Sequence, residues 1–295
     1  MPRIQSNQIE IEYEQFGPAS GDPLLLIMGL GAQMIHWDEA FIGLFVDRGY
    51  QVTRFDNRDV GLSTKLEAAG PANVLEVMRQ AREGQSPDVP YTLDDMADDT
   101  AGLLDGLEID AAHVVGASMG GMVAQALAIR HPARVRSLVS IMSSTGNPEL
   151  PPAKPDAMAL LMRPPAQDRE TAIEYNIEGR RMLSGPAHPF DEERARMNAE
   201  RAYDRCFYPA GQGRQTAAIM AHGSRTEALS KLDVPTLVIH GDCDPLVPIE
   251  AGQDTARCVP GADLLVVEGM GHDLHPAVWP RIVDSIHQHT EKAGR

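Results

Sequence analysis

The sequence predicts an α/β fold, a mostly parallel sheet flanked by helices, with a helical insertion before its last strands. Three observations carry this reading. Short apolar runs without polar alternation recur along the chain, segments of helical periodicity stand between them, and this alternation stops between Gly146 and about Lys231.

The elements follow in order. Ile9 to Phe16 alternates apolar and polar residues, the pattern of a half-exposed antiparallel strand at a sheet edge. The unalternated runs are Leu24 to Ile27, Val52 to Phe55, His113 to Val115, Val135 to Ile141, Leu237 to Ile239 and Leu264 to Val267. Runs of this kind suit strands buried on both faces of a parallel sheet. Helical periodicity marks Met96 to Leu107, Met122 to Ile129 and Val278 to His289. After Gly146, prolines 148, 151, 152, 155, 164 and 165 crowd the chain and no strand-like run appears. Arg169 to Leu183 and Glu192 to Cys206 carry charge on one face and apolar side chains on the other, as helices lying on an apolar surface would. The expected organisation is a core of residues 1–145 and 232–295, with residues 146–231 as a helical cap.

Bulk properties exclude several classes. The 295 residues are 43% hydrophobic and 23% charged, ordinary for one globular core. A formal net charge of -16 repels phosphate backbones and anionic membranes, so neither nucleic acid nor membrane is an expected partner. Asp94, Asp95, Asp98 and Asp99 have helical spacing and read as a solvated helix face, not a metal site. The first residues lack the apolar core of a signal peptide and no stretch approaches the ~20 apolar residues of a membrane span, which makes the cytoplasm the expected location. Three cysteines, Cys206, Cys243 and Cys258, are too irregularly placed for a disulfide framework or a zinc site. The sequence leaves homo-oligomerisation open.

The segment His113 to Met122 is strand-like, ends in Gly116-x-Ser118-x-Gly120 and passes at once into a helical pattern. On so sharp a turn a serine is held in a strained conformation and its hydroxyl is presented at the carboxyl edge of the sheet. The helix that follows adds a positive N-terminal dipole, and the Met119 amide points the same way. Serine at neutral pH needs a base and a group that orients the base. His272, on a glycine-rich loop after Leu264 to Val267, is the best base; His275, a helical turn away, is its competitor. After Leu237 to Ile239 stand Asp242 and Asp244. Pro245 biases Asp244 toward an extended conformation that projects its side chain, whereas Asp242 suits a turn residue bonding local amides. Asp244 is therefore the expected acid. A second oxyanion donor should come from Met28-Gly29-Leu30-Gly31-Ala32, with Leu30 favoured and Gly29 the alternative.

With serine, aspartate and histidine in this order, the chain resembles the α/β-hydrolase fold esterases over nearly its whole length. Asp56-x-Arg58-Asp59-x-Gly61-x-Ser63 is similar to a turn of that family, and together with Met28-Gly29 it resembles the aclacinomycin methylesterase-like branch. Met28 stands where many relatives have histidine and Asp59 where many have glycine. The resemblance implies ester hydrolysis through an acyl-enzyme, a helical cap, and no cofactor or metal. The expected substrates are small to medium uncharged carboxylic esters, bound in an apolar pocket that includes Gly29, Met158, Leu161, Met162 and Met182. A cofactor-free haloperoxidase or carbon-carbon bond hydrolase using the same triad, and a slow-turnover ligand receptor of the same fold, are the alternatives.

Overall fold

The computed structural model describes residues 2–294. One eight-stranded sheet is formed by β1 (Arg3–Ser6), β2 (Ile9–Phe16), β3 (Asp22–Ile27), β4 (Tyr50–Phe55), β5 (Ala112–Ala117), β6 (Val135–Ile141), β7 (Thr236–Gly241) and β8 (Asp263–Val267). Its spatial order is β1-β2-β4-β3-β5-β6-β7-β8. β2 pairs antiparallel with β1 and β4, and every other pairing is parallel. The helices are α1 (Glu39–Val46), α2 (Val74–Arg82), α3 (Leu93–Gly106), α4 (Met119–Arg130), α5 (Pro155–Leu161), α6 (Arg169–Leu183), α7 (Glu192–Arg205), α8 (Pro209–His222), α9 (Thr226–Leu229), α10 (Ile249–Cys258) and α11 (Trp279–Ala293). Helices α5 to α9 lie between β6 and β7, where prolines and amphipathic charge replaced the strand pattern.

The missing alternation in the central strands follows from burial on both faces. Leu25 and Ile27 of β3, with Val114 of β5, pack against Leu103 and Leu104 of α3 and Val123 and Leu127 of α4. Leu24, Leu26, Val115 and Ala117 pack against Phe41 and Phe45 of α1 and Ile282 and Ile286 of α11. Each of the larger of these side chains contributes about 1.5–3 kcal/mol on leaving water, so a polar residue at any of these positions would be costly. No helix among the described residues is long and apolar enough to cross a membrane.

Two expectations are corrected. Ile9 to Phe16 is antiparallel but not the sheet edge, because β1 pairs outside it. Arg3-Ile4-Gln5-Ser6 is too short and polar to signal a strand, and its Arg3 Nε donates to Glu12 Oε2 at 3.0 Å, so that Glu12 is buried. The acidic run on α3 is solvated only in part. Thr92 and Asp95 form a capping box, Asp98 binds Arg130 and His131, and Asp99 is buried against Arg58, which donates to its two oxygens at 2.6 and 2.7 Å. Arg58, Arg130 and His131 come from distant segments, which helical spacing does not reveal.

Candidate active site

β5 runs directly into α4, and Ser118 at the junction has φ +55° and ψ −121°. A non-glycine residue there costs on the order of 1–3 kcal/mol, so its surroundings must hold it. The Ser118 N–H donates to Ile141 O at 2.9 Å, and its carbonyl accepts from the Gly121 N–H at 2.9 Å and from Ser143 Oγ at 2.8 Å. The flanking glycines permit close approach, since a Cβ on Gly116 would lie 2.1 Å from Gly120 O and one on Gly120 2.1 Å from Ile27 O.

His272 follows β8 and Asp244 follows β7, so both reach the same carboxyl edge of the sheet. His272 Nε2 lies 2.9 Å from Ser118 Oγ, and Nδ1 lies 2.7 Å from Asp244 Oδ2. Asp244 is 5% exposed, and its other oxygen accepts the N–H groups of Leu246 and Val247 at 2.8 Å each. With Nδ1 facing a carboxylate, the proton belongs on Nδ1 and the Nε2 lone pair faces the serine. The His272 N–H donates to Leu183 O at 2.7 Å, tying the loop to the end of α6.

The competitors have other partners. His275 Nδ1 accepts the Ala277 N–H at 3.2 Å, and its ring stacks on His188 with centroids 4.6 Å apart. Asp242 does not bond a local amide as expected; Oδ1 accepts the Gly269 N–H at 2.6 Å. It therefore braces the loop that carries His272, a role visible only once β7 and β8 are adjacent.

In the loop after β3, the Gly31 N–H donates to Gln215 Oε1 at 2.8 Å and the Ala32 N–H to Gly29 O at 3.2 Å. Among the described residues no protein acceptor takes the N–H of Leu30 or of Met119. The loop touches the serine, because a Cβ on Gly29 would lie 3.1 Å from Ser118 Cβ. Helix α8 holds this region from the other side. Gln215, fully buried, also donates through Nε2 to Arg58 O at 2.8 Å, and Arg214 Nε donates to Asp59 Oδ2 at 2.7 Å.

Ser118 and His272 open into a cavity of about 1040 Å³. Gly29, Met158 and Leu161 line it, and so do Leu30 and Met119, the residues expected to supply the oxyanion amides. Met162 and Met182 do not, and at 40% and 41% exposure they lie outside. Met162 follows the end of α5, and α6 turns Ala172, Asn176, Gly179 and Leu183 to the cavity, a stripe that leaves Met182 at its edge. Sequence reasoning also missed the polar lining, notably His36 and Arg180, for which no motif gave a signal.

Residues 22–276 match a family model described as the alpha/beta hydrolase fold. Among curated proteins, rhodomycin D methylesterase from Streptomyces peucetius is 29% identical over 98% of each chain. Non-heme chloroperoxidase from Streptomyces lividans is 26% identical over 92% of this chain and 94% of its own. Among solved structures, a meta-cleavage product hydrolase from Pseudomonas fluorescens IP01 superposes with TM-score 0.79 at 22% identity, covering 99% of this chain and 98% of its own.

Proposed function

The chain belongs to the α/β-hydrolase fold family and is an esterase-like hydrolase; on that premise we propose that it cleaves carboxylic esters through an acyl-enzyme on Ser118. The observation that carries this reading is the continuous relay from Asp244 through His272 to Ser118, at 2.7 and 2.9 Å, opening into a large cavity. Ser118 Oγ attacks the ester carbonyl as its proton passes to His272 Nε2, and Asp244 stabilises the imidazolium. The amides of Leu30 and Met119 hold the oxyanion. Collapse expels the alcohol, which takes the proton from His272, and a water activated by the same nitrogen releases the acid. Residues 146–231 act as the cap that shapes the pocket over the core of residues 1–145 and 232–295.

Replacing Ser118 by Ala should leave the fold intact and lower ester turnover on the order of a thousandfold or more. A fluorophosphonate should give one adduct, at Ser118, by intact mass and peptide mapping. Retained activity, or labelling elsewhere, overturns the reading. The same relay suits cofactor-free haloperoxidation and carbon-carbon cleavage, and the similarity to a chloroperoxidase makes halogenation with peroxide and halide the direct competing assay.

A further inference from the structure

Arg163, Arg180 and Arg194 line the cavity into which Ser118 opens, and they differ in what holds them. Arg163 pairs with Glu178 at 2.8 Å and Arg194 with Asp38 at 2.7 Å. Arg180, near the end of α6, has no carboxylate within ion-pair distance among the described residues. Its Nε donates to Asn176 Oδ1 at 3.0 Å. That leaves the outer edge of the fork, both η-nitrogens, without a protein acceptor among the described residues.

This guanidinium is half-buried in the cavity wall. Burial lowers its pKa, and Asp273 is the acid that acts against this from beyond ion-pair distance, while Arg194 adds to the lowering. Its charge is felt at His36, whose pKa falls to about 3, first through burial and next through Arg180. His36 is thus neutral at physiological pH, with Nδ1 3.0 Å from Gln33 O. Arginine stays protonated in proteins, and a partly desolvated cation with no ion-pair partner gains from an arriving anion. A cation held in this state in the same cavity as a reactive serine is suited to a charge that arrives with the substrate.

We propose that Arg180 recognises a carboxylate carried by the substrate, so that the preferred esters are half-esters of dicarboxylic acids. Its η-nitrogens pair with the two oxygens of the distal carboxylate while the ester carbonyl sits at Ser118. The single guanidinium fork fits one carboxylate, whereas Asp191 and Asp273, which also line the cavity, would repel the second charge of a phosphate dianion. The net charge of -16 does not oppose this, because exposed charges are screened beyond about 8 Å at physiological salt. The inference rests on the esterase reading and replaces the expectation of an uncharged substrate.

The test compares kcat/KM for monomethyl glutarate, adipate and suberate with that for methyl pentanoate, hexanoate and octanoate, the released acid being measured by chromatography. The wild type should favour the half-ester of the best-fitting length by about tenfold or more, the scale of a charge-assisted hydrogen bond. Arg180→Gln should abolish that ratio, and Arg180→Lys should keep part of it, having the charge without the fork. Equal or better turnover of neutral esters by the wild type, or an unchanged ratio in Arg180→Gln, overturns the proposal. Calorimetric titration of Ser118→Ala with monomethyl adipate and methyl hexanoate reads the same preference without turnover. Tighter binding of the half-ester supports the role of Arg180 and equal binding refutes it. Failure of the esterase reading looks different, since none of these esters would then be consumed by the wild type.

Discussion

Replacing Asp244 by Asn changes one atom pair, and the structure determines which way the new amide faces. Asp244 Oδ1 accepts two N–H groups, from Leu246 and Val247, at 2.8 Å each. An NH2 group in that place would meet two donors, so the amide oxygen takes it and the NH2 turns to His272. A donor now faces Nδ1, which must offer its lone pair, and the ring proton moves to Nε2. Nε2 lies 2.9 Å from Ser118 Oγ and, once protonated, no longer accepts the serine proton. The expected loss in kcat is on the order of 10³–10⁴-fold, with KM little changed. Asp242→Asn is the matched control, because its amide oxygen still accepts the Gly269 N–H; kcat should stay within a few-fold. Both variants are assayed on p-nitrophenyl butyrate, with Ser118→Ala as the floor. The reasoning is refuted if Asp244→Asn retains turnover within tenfold of wild type, or if Asp242→Asn loses as much.

Two further outcomes follow from buried charge. Arg214→Met should destabilise the protein by about 3–5 kcal/mol in urea unfolding by leaving Asp59 buried without its cation, and adding Asp59→Gly should recover most of that loss; additive losses would refute the coupling. Burial, then the charge of Arg136, lowers the pKa of His113 from 6.5 to about 4. The unfolded chain therefore binds this proton first, and stability that is complete above pH 6.5 is lost as pH falls toward 4, by roughly 3 kcal/mol from this group. His113→Gln should flatten the dependence of the urea midpoint on pH across that window; an unaltered slope would count against it.

The parts of the candidate site that are contiguous in the chain are the ones legible in the sequence. Ser118 lies in a strand-turn-helix segment whose parts are contiguous, and His272 and Asp244 each follow a strand within a few residues. The misses are long-range. Asp99 reads as solvated until Arg58 arrives from the turn after β4, and Asp242 reads as a local turn residue until β8 brings Gly269 beside it. Met162 and Met182 read as pocket residues by residue type alone, whereas the rotation of each helix decides which side chains enter. Arg180 is one charge among several on an amphipathic helix, and only its lack of a carboxylate distinguishes it.

The two departures from the family pattern at positions 28 and 59 have a common physical explanation. Asp59 has φ +67°, the left-handed region that glycine occupies freely. Aspartate tolerates it at modest cost, and here the carboxylate accepts Arg214 Nε and Nη2 at 2.7 and 2.8 Å and the Leu66 N–H at 2.8 Å. Burial pushes this carboxyl up, but these donors outweigh it and hold its pKa below the ordinary value. The side chain that replaces glycine thus becomes an anchor for α8. The next residue of that helix, Gln215, joins the Arg58 carbonyl to the Gly31 amide, and Asn57 Nδ2 donates to the Met28 carbonyl at 3.0 Å. Three successive residues of the turn, 57 to 59, therefore hold the loop beside Ser118 either directly or through α8. Position 28 contributes only its carbonyl to these hydrogen bonds, so its side chain is free to be apolar and packs into the core. Loop placement consequently depends on α8 rather than on a histidine at position 28. Disturbing Gln215 should thus lower kcat through the Leu30 amide without requiring a change in substrate contacts.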